Sequence, residues 1–121
     1  GICVGMQWML ESSEEAPSVK GLGVWPGACE HFPTQVKAPH VGWNQLEISG
    51  PSRLLKGIAS QSFVYFTHSY RVPVITDTIA ATEYGGRFSA AVERDHLFGV
   101  QFHPEKSGVV GLRLLENFCS L

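Results

Sequence analysis

The sequence lacks the features that mark several large classes of protein. It holds no run of lysine or arginine, and its formal net charge at pH 7 is -2, so it offers no electrostatic footprint for nucleic acid or membrane lipid. No apolar run approaches the roughly 20 residues needed to span a bilayer, and the first residues lack the regions of a signal peptide. Small molecules or proteins are therefore the expected partners.

Cysteine is scarce as well. The three cysteines form an odd number without metal-ligand spacing, which favours reduced thiols and a cytoplasmic location over a disulfide framework. Cys29 and Cys119 are expected to be ordinary thiols. No metal site is expected among four of the five histidines, because none of the four stands at helix-ligand spacing from another. These are His31, His40, His68 and His96.

What is present is the composition of one globular domain, with 44% hydrophobic residues and 13 glycines. Aromatic and β-branched residues predict four strands. They are Ser62 to Tyr70, Ile79 to Tyr84, Phe88 to Val92 and Leu97 to Phe102. Short connections, one of them Gly85-Gly86, predict that the last three strands form a meander of hairpins.

Two helices are predicted on either side of these strands. The first runs from Met6 to about Ser12 and ends in a polar loop that reaches Pro17. The second runs from about Gly108 to Phe118, with Ser107 as its N-cap. Spacing of three residues predicts one apolar face on this second helix. Its members are Val109, Leu112, Leu115 and Phe118.

The most informative stretch is Gly1-Ile2-Cys3-Val4-Gly5, a G-x-C-x-G pattern. A nucleophile on a sharp strand-to-helix turn has a strained backbone and needs small neighbours. Cys3 is therefore predicted to be a catalytic thiol, and amides at the start of the following helix are expected to favour its thiolate. Only two residues precede Cys3, so we expect that the sequence lacks an N-terminal part with the first strands of a sheet.

His103-Pro104-Glu105 follows the last predicted strand, at the end where open α/β sheets gather their active sites. A cysteine nucleophile needs an imidazole to move protons and a third group to hold that imidazole. His103 and Glu105 can supply both. Spacing alone does not distinguish Cys3 from a buried structural cysteine, but the elbow and the strand-end histidine together favour catalysis.

The chain from Gly1 to Gln7, taken with Gln101 to Ser107, resembles the class I (triad) glutamine amidotransferases. Within that family, further motifs are similar to the glutaminase subunits of imidazole glycerol phosphate synthases. These motifs are Pro39 to Asn44, Tyr65 to Tyr70, Ala81 to Gly85 and Gly111 to Phe118. The resemblance implies a three-layer, flavodoxin-like α/β fold with an antiparallel extension, of which residues 1–121 form the C-terminal portion of a single domain.

The resemblance implies hydrolysis of L-glutamine to glutamate and ammonia. Cys3 would attack the side-chain carboxamide, and the backbone amide of Val4 would hold the oxyanion. His103 would transfer protons while Glu105 steadies the imidazolium. A second oxyanion donor is expected in the missing N-terminal part, so the 121 residues alone are expected to be inactive or nearly so.

By their motif positions, Gln7, Glu15, Ser69 and Tyr70 are expected to contact glutamine. The alternative for Gln7 is a solvated helix residue that contacts no substrate. The alternative for Glu15 is that it forms, with Glu14, a solvated acidic helix end.

Trp43, Tyr65 and Lys106 resemble the surface that docks onto a cyclase subunit with a β/α barrel, although Trp43 could equally cap a core. The cyclase would use the ammonia to make imidazole glycerol phosphate and aminoimidazole carboxamide ribotide in histidine biosynthesis. The resemblance implies no metal or organic cofactor, and neither nucleic acid nor membrane as a partner.

Two alternatives stay open from the sequence. One is the glutaminase of another pathway, such as anthranilate or GMP synthesis, which shares the elbow and His-Pro-Glu but not the Pro39 to Asn44 turn with Lys106-Ser107. The other is a catalytically silent regulatory or interaction module of the same fold. The joint presence of Cys3, His103 and Glu105 argues against the second.

Overall fold

The structure, a computed structural model, describes residues 1–121 as nine strands, two α-helices and one 3₁₀ turn. The helices are α1 (Val4–Gln7) and α2 (Gly108–Cys119), and the 3₁₀ turn is Pro104–Lys106. The strands are β1 (Leu10–Ser13), β2 (Trp25–His31), β3 (His40–Gln45), β4 (Glu47–Ile48), β5 (Phe63–His68), β6 (Tyr70–Arg71), β7 (Thr78–Glu83), β8 (Arg87–Arg94) and β9 (Leu97–Val100).

The strands form three sheets, ordered β1-β2-β6, β3-β5 and β4-β7-β8-β9. The predicted meander is confirmed, since β7, β8 and β9 pair antiparallel in chain order. Gly85 and Gly86 adopt positive φ angles of 60° and 111° at the first hairpin, a conformation that glycine adopts without a steric cost. Each of the four predicted strand segments overlaps an observed strand, with ends that differ by a few residues.

The predicted helix over Met6 to Ser12 is wrong for most of its length. Helix α1 ends at Gln7, and Leu10–Ser13 is strand β1, which pairs parallel with β2. Leu10 and its partner Trp25 are both buried in a core with Met6 and Val72. Burial in a parallel sheet outweighs the local helical preference, because propensity is a weak bias that tertiary packing routinely overrides.

The apolar face that the spacing predicts on α2 is not the face that this helix buries. Val109 is 84% exposed and Leu112 is 57% exposed, whereas Leu114 is only 4% exposed. The helix turns the Gly111 and Leu114 face inward because a Cβ on Gly111 would lie 1.9 Å from the Pro104 carbonyl oxygen. Glycine therefore sets the approach of α2 to the 3₁₀ turn.

Ser107 precedes α2 as predicted, but its side chain does not cap the helix. Its hydroxyl instead donates to the His103 carbonyl at 2.6 Å and accepts the Tyr65 amide at 3.0 Å.

A larger core packs the inner faces of the sheets β3-β5 and β4-β7-β8-β9 against α2, with Phe66, Phe88 and Phe102 among its members. None of the helices has both the length and the apolar character needed to cross a membrane.

Candidate active site

Cys3 stands on a strained turn between extended backbone and α1. Its φ of 54° and ψ of −113° lie outside the regions that non-glycine residues usually occupy. The chain enters this turn beside β9, where Cys3 N–H donates to Val100 O at 2.8 Å and Val100 N–H donates to Gly1 O at 2.9 Å. The elbow predicted from the sequence is therefore present.

The two flanking glycines differ in what they contribute to this elbow. A Cβ on Gly1 would lie 2.6 Å from the backbone of Gly5, so only glycine fits there without a shift. A Cβ on Gly5 would meet nothing within 4 Å. The expectation that both neighbours must be small is thus met at Gly1 and is wrong at Gly5 within these residues.

The Cys3 thiol is half-buried among polar groups. Its Sγ donates to Thr67 O at 3.9 Å and accepts the side-chain amide of Gln101 at 3.7 Å. Burial raises the pKa of the Cys3 thiol above its ordinary value, against the lowering effect of hydrogen bonds from Val4 N–H and Gln101. Glu105 and Glu15 raise that pKa further. The predicted help from the start of the following helix is present, since Val4 is the first residue of α1 and its N–H lowers the pKa of the thiol, but burial outweighs it.

His103 and Glu105 are directly joined. The His103 Nδ1 lies 3.1 Å from Glu105 Oε2, so Nδ1–H donates to the carboxylate and Nε2 is left to act on a substrate. Glu105 belongs to the 3₁₀ turn that begins at Pro104, directly after His103. The structure thus has the predicted contact between the His103 imidazole and the Glu105 carboxylate.

Strand β5 links the two parts of the site. The Cys3 Sγ contacts Thr67 O, and His103 N–H donates to Tyr65 O at 3.0 Å. These two carbonyls are two residues apart on one strand, a distance of about 7 Å along its axis. No hydrogen bond joins Cys3 Sγ to His103 in this structure.

Gln7 is buried rather than solvated, with 8% of its surface exposed. Its Nε2 donates to Tyr70 O at 2.7 Å and to Gln101 Oε1 at 3.0 Å. Both amide hydrogens are used within the protein, so only its Oε1 is left for a ligand. Gln7 also lines a cleft of about 130 Å³ together with Val4 and Glu15.

The two acidic residues after β1 differ in their contacts. Glu14 Oε2 accepts the His31 amide at 2.9 Å, whereas the Glu15 carboxylate makes no hydrogen bond or ion pair within the chain. Of the two, Glu15 is therefore the one available to a cationic group in the cleft.

Tyr70 contacts Gln7 directly through its carbonyl, and Ser69 precedes it in the chain. Their carbonyls are already bonded, Ser69 O to Phe32 N–H and Tyr70 O to Gln7 Nε2. An anionic ligand can meet only their N–H and hydroxyl groups, because an anion needs donors and a carbonyl oxygen only accepts.

Trp43, Tyr65 and Lys106 lie together on the outer face of the β3-β5 sheet. Trp43 pairs with Tyr65 across the strands, with ring centroids 5.9 Å apart, and Lys106 Nζ lies 5.9 Å from the centroid of the Tyr65 ring. Trp43 is 55% exposed, so the alternative in which it caps a core is wrong.

The sequence patterns assigned no role to Gln101 or Thr67, which both contact Cys3. Gln101 stands two residues before His103 in the motif, so the sequence shows its proximity to the histidine. Its contact with the Cys3 Sγ follows only from the structure. Thr67 acts through its backbone carbonyl, which leaves no signal in the sequence.

The sequence patterns also did not predict the contact between His40 and His68. The pair packs under the site, with His40 Nδ1 3.1 Å from His68 Nε2. Their interaction depends on the pairing of β3 with β5.

A cysteine on a strand-to-helix elbow and a strand-end histidine bonded to a glutamate are the groups of a hydrolytic site with a cysteine nucleophile. The family model for class-I glutamine amidotransferases matches residues 1–120. The chain belongs to this family.

Curated relatives share close to half of its residues. The chain is 46% identical over 122 residues to imidazole glycerol phosphate synthase subunit HisH of Methanocaldococcus jannaschii, covering 100% of the chain and 62% of the relative. It is 51% identical over 123 residues to the HisH subunit of Deinococcus radiodurans, covering 98% of the chain and 57% of the relative. The chain thus spans less than two thirds of the length of these relatives.

Solved structures confirm the α/β fold class. A crystal structure from Thermoplasma acidophilum, provisionally described as a GMP synthase subunit, aligns with a TM-score of 0.68 and 19% identity, covering 99% of this chain and 54% of that one. A second crystal structure, of a glutamine amidotransferase, aligns with a TM-score of 0.64 and 19% identity, covering 98% of this chain and 59% of that one. At this identity the likeness concerns the fold alone.

Proposed function

We propose that residues 1–121 form the C-terminal portion of a single glutaminase domain that supplies ammonia for histidine biosynthesis. The observation that carries this proposal is the placement of Cys3 and His103 on neighbouring carbonyls of β5, with Glu105 bonded to His103. The identity of 46% and 51% to two HisH subunits supports the pathway. A cytoplasmic location stays part of this proposal.

The reaction begins at Cys3. Its sulfur attacks the carboxamide carbon of L-glutamine and forms a tetrahedral intermediate whose oxyanion accepts the Val4 N–H. The backbone amide of Val4 contacts the Cys3 sulfur, so it lies close to the reacting carbon. A second oxyanion donor is supplied by the part of the domain outside residues 1–121.

Proton transfer falls to His103. Its Nε2 takes the thiol proton and gives it to the departing ammonia, which leaves a γ-glutamyl thioester on Cys3. The same nitrogen then activates water, and hydrolysis of the thioester releases glutamate and restores the thiol. Glu105 holds Nδ1–H and stabilises the imidazolium that forms twice in each cycle.

Four residues recognise the substrate. The unpaired carboxylate of Glu15 and the free Oε1 of Gln7 receive the α-ammonium group in the cleft that both residues line. Donors on Ser69 and Tyr70 hold the α-carboxylate.

The partner is a cyclase subunit with a β/α barrel, which docks on Trp43, Tyr65 and Lys106. It uses the ammonia to form imidazole glycerol phosphate and aminoimidazole carboxamide ribotide. Support comes from the exposed Trp43, paired with the half-buried Tyr65 and an adjacent cation, a composition typical of interface anchors.

The test is glutamate release from glutamine by the intact protein, measured with and without a cyclase and its nucleotide ligand. We expect release that depends on the cyclase and disappears in the Cys3→Ala variant. Release that is indifferent to the cyclase would place the protein in another pathway. Absence of release under every condition, with Cys3 unreactive towards a glutamine-analogue electrophile, would overturn the glutaminase proposal.

A further inference from the structure

The carbonyl oxygen of Tyr70 accepts two side-chain donors, Gln7 Nε2 at 2.7 Å and His68 Nδ1 at 2.8 Å. A carbonyl oxygen can only accept, so both partners must donate. This single group therefore fixes the orientation of the Gln7 amide and the tautomer of His68.

The orientation of the Gln7 amide determines the orientation of the Gln101 amide, which contacts the Cys3 sulfur. Because Gln7 Nε2 faces Tyr70 O, its second hydrogen points at Gln101, and the Gln101 atom 3.0 Å away must be the acceptor Oε1. The Nε2 of Gln101 then faces Cys3 Sγ at 3.7 Å. The Gln7 and Gln101 amides each have one orientation in which their hydrogen-bond partners are satisfied. The carbonyl of Tyr70 therefore determines that Gln101 presents its Nε2 donor to the sulfur.

Gln101 is held rigidly enough to make this contact directional. The residue is fully buried, and its backbone N–H donates to Ala90 O at 2.8 Å directly after β9. Burial of a glutamine is costly unless its polar atoms are paired, and here both ends of the amide are. An apolar residue of the same size would fill the volume without supplying a donor.

We propose that Gln101 is a positioning residue for the nucleophile, whose side-chain amide orients Cys3 Sγ and stabilises its thiolate. The reaction concerned is the proposed glutaminase reaction, but the contact between Gln101 and the thiol is independent of the substrate. A thiolate accepts hydrogen bonds strongly, and the amide offers one from a direction set before substrate binds.

Other titratable groups act on the same sulfur. Glu15 reaches it from the turn after β1, and Glu105 from the 3₁₀ turn, and both oppose its ionisation. His103 is hydrogen-bonded to Glu105 through its ring, and its backbone N–H donates to Tyr65 O on β5. The experiment therefore changes Gln101 alone and leaves these three groups in place.

The test is the pH dependence of alkylation by iodoacetamide in the intact protein, followed at each cysteine by peptide mass spectrometry. Gln101→Met removes the donor while keeping the volume, and we expect the midpoint for Cys3 to rise by about one pH unit. Gln101→Asn keeps an amide but is one methylene too short to reach both Gln7 and Sγ, so it should raise the midpoint as well. The exposed Cys119 serves as an internal reference whose alkylation should not change.

A matched control is Ser89→Ala, which removes an equally buried polar side chain bonded to Thr78 and Pro73. Its Cys3 midpoint should equal that of the unchanged protein. Steady-state kinetics should show kcat of both Gln101 variants reduced about tenfold with little change in KM, because the bond to Tyr70 O still orients Gln7 towards the substrate.

An unchanged Cys3 midpoint in folded Gln101→Met and Gln101→Asn variants would overturn the proposal, even if the unchanged protein is an active glutaminase. An equal shift of the Cys3 midpoint in Ser89→Ala would also overturn it, since the shift would then reflect a general loss of packing and not the loss of the Gln101 donor. Conversely, a shift confined to the Gln101 variants in a protein that releases no glutamate would support the contact and refute the proposed function alone.

Discussion

Cys3 and His103 are tied to the same strand through two carbonyls, Thr67 O for the cysteine sulfur and Tyr65 O for the histidine backbone amide. The same strand presents Tyr65 to the exposed surface next to Trp43 and Lys106. A displacement of β5 would therefore move one anchor point of each reacting group together, because both anchor points lie on this strand.

The carboxylate of Glu105 can be tested by Glu105→Gln. The amide oxygen still accepts Nδ1–H, but it no longer neutralises the imidazolium, so we expect kcat to fall about tenfold to a hundredfold. The measurement is glutamate release by the complex with the cyclase. Glu116→Gln, an exposed carboxylate on α2, is the control and should keep full activity. Equal activity in both variants would remove Glu105 from the mechanism.

The close approach at Gly111 predicts a steric effect. An added methyl group would lie 1.9 Å from Pro104 O, so Gly111→Ala must push α2 away from the segment that joins His103 to Glu105. We expect a loss of about 1–3 kcal/mol in the free energy of unfolding, together with reduced kcat, although alanine favours helix. Urea unfolding measures the first effect. Gly5→Ala, whose Cβ meets no neighbour within 4 Å, should leave stability unchanged.

The buried histidine pair predicts how stability depends on pH. Burial lowers the pKa of His40 and of His68 to about 4, from the ordinary value of 6.5. Between those values the unfolded chain binds protons that the folded protein does not, so stability falls as pH drops from 6.5 towards 4, by at most about 1.4 kcal/mol per unit for each histidine. Above pH 6.5 the pair contributes no pH dependence.

Urea midpoints at pH 7.5, 6 and 5 measure this slope, and His40→Phe should reduce it because one of the two groups is gone. The aromatic ring of the variant can stack on Tyr84 and Phe66 as His40 does. His96→Gln, an exposed histidine, should leave the slope unchanged. A His40→Phe protein with the full slope would contradict the assignment.

The exposed aromatic surface predicts a loss of partner affinity. Trp43→Ala removes the larger member of the pair with Tyr65, and we expect the Kd for the cyclase to rise about tenfold to a hundredfold. Isothermal titration of the intact protein with the cyclase measures it. Val74→Ala, which trims an equally exposed apolar residue outside this surface, is the control. Unaltered affinity in Trp43→Ala would move the interface elsewhere.

The sequence by itself determined the elements whose signals are local. Gly1 to Gly5 predicted the elbow because a strained turn restricts its residues, and Gly85-Gly86 predicted the hairpin because positive φ favours glycine. His103 and Glu105 are two residues apart, so their contact needed no long-range information. The motifs around Cys3 and His103 likewise indicated the family, because each is a short run of neighbouring residues.

Only the tertiary structure decided the rest. Leu10–Ser13 became a strand because β2 lies beside it, and α2 turned its Val109 and Leu112 side outward because Gly111 packs on Pro104. The contact of Gln101 with Cys3 joins residues 98 positions apart. Such contacts depend on free energies of packing and pairing summed over the whole fold, which no short window of sequence contains.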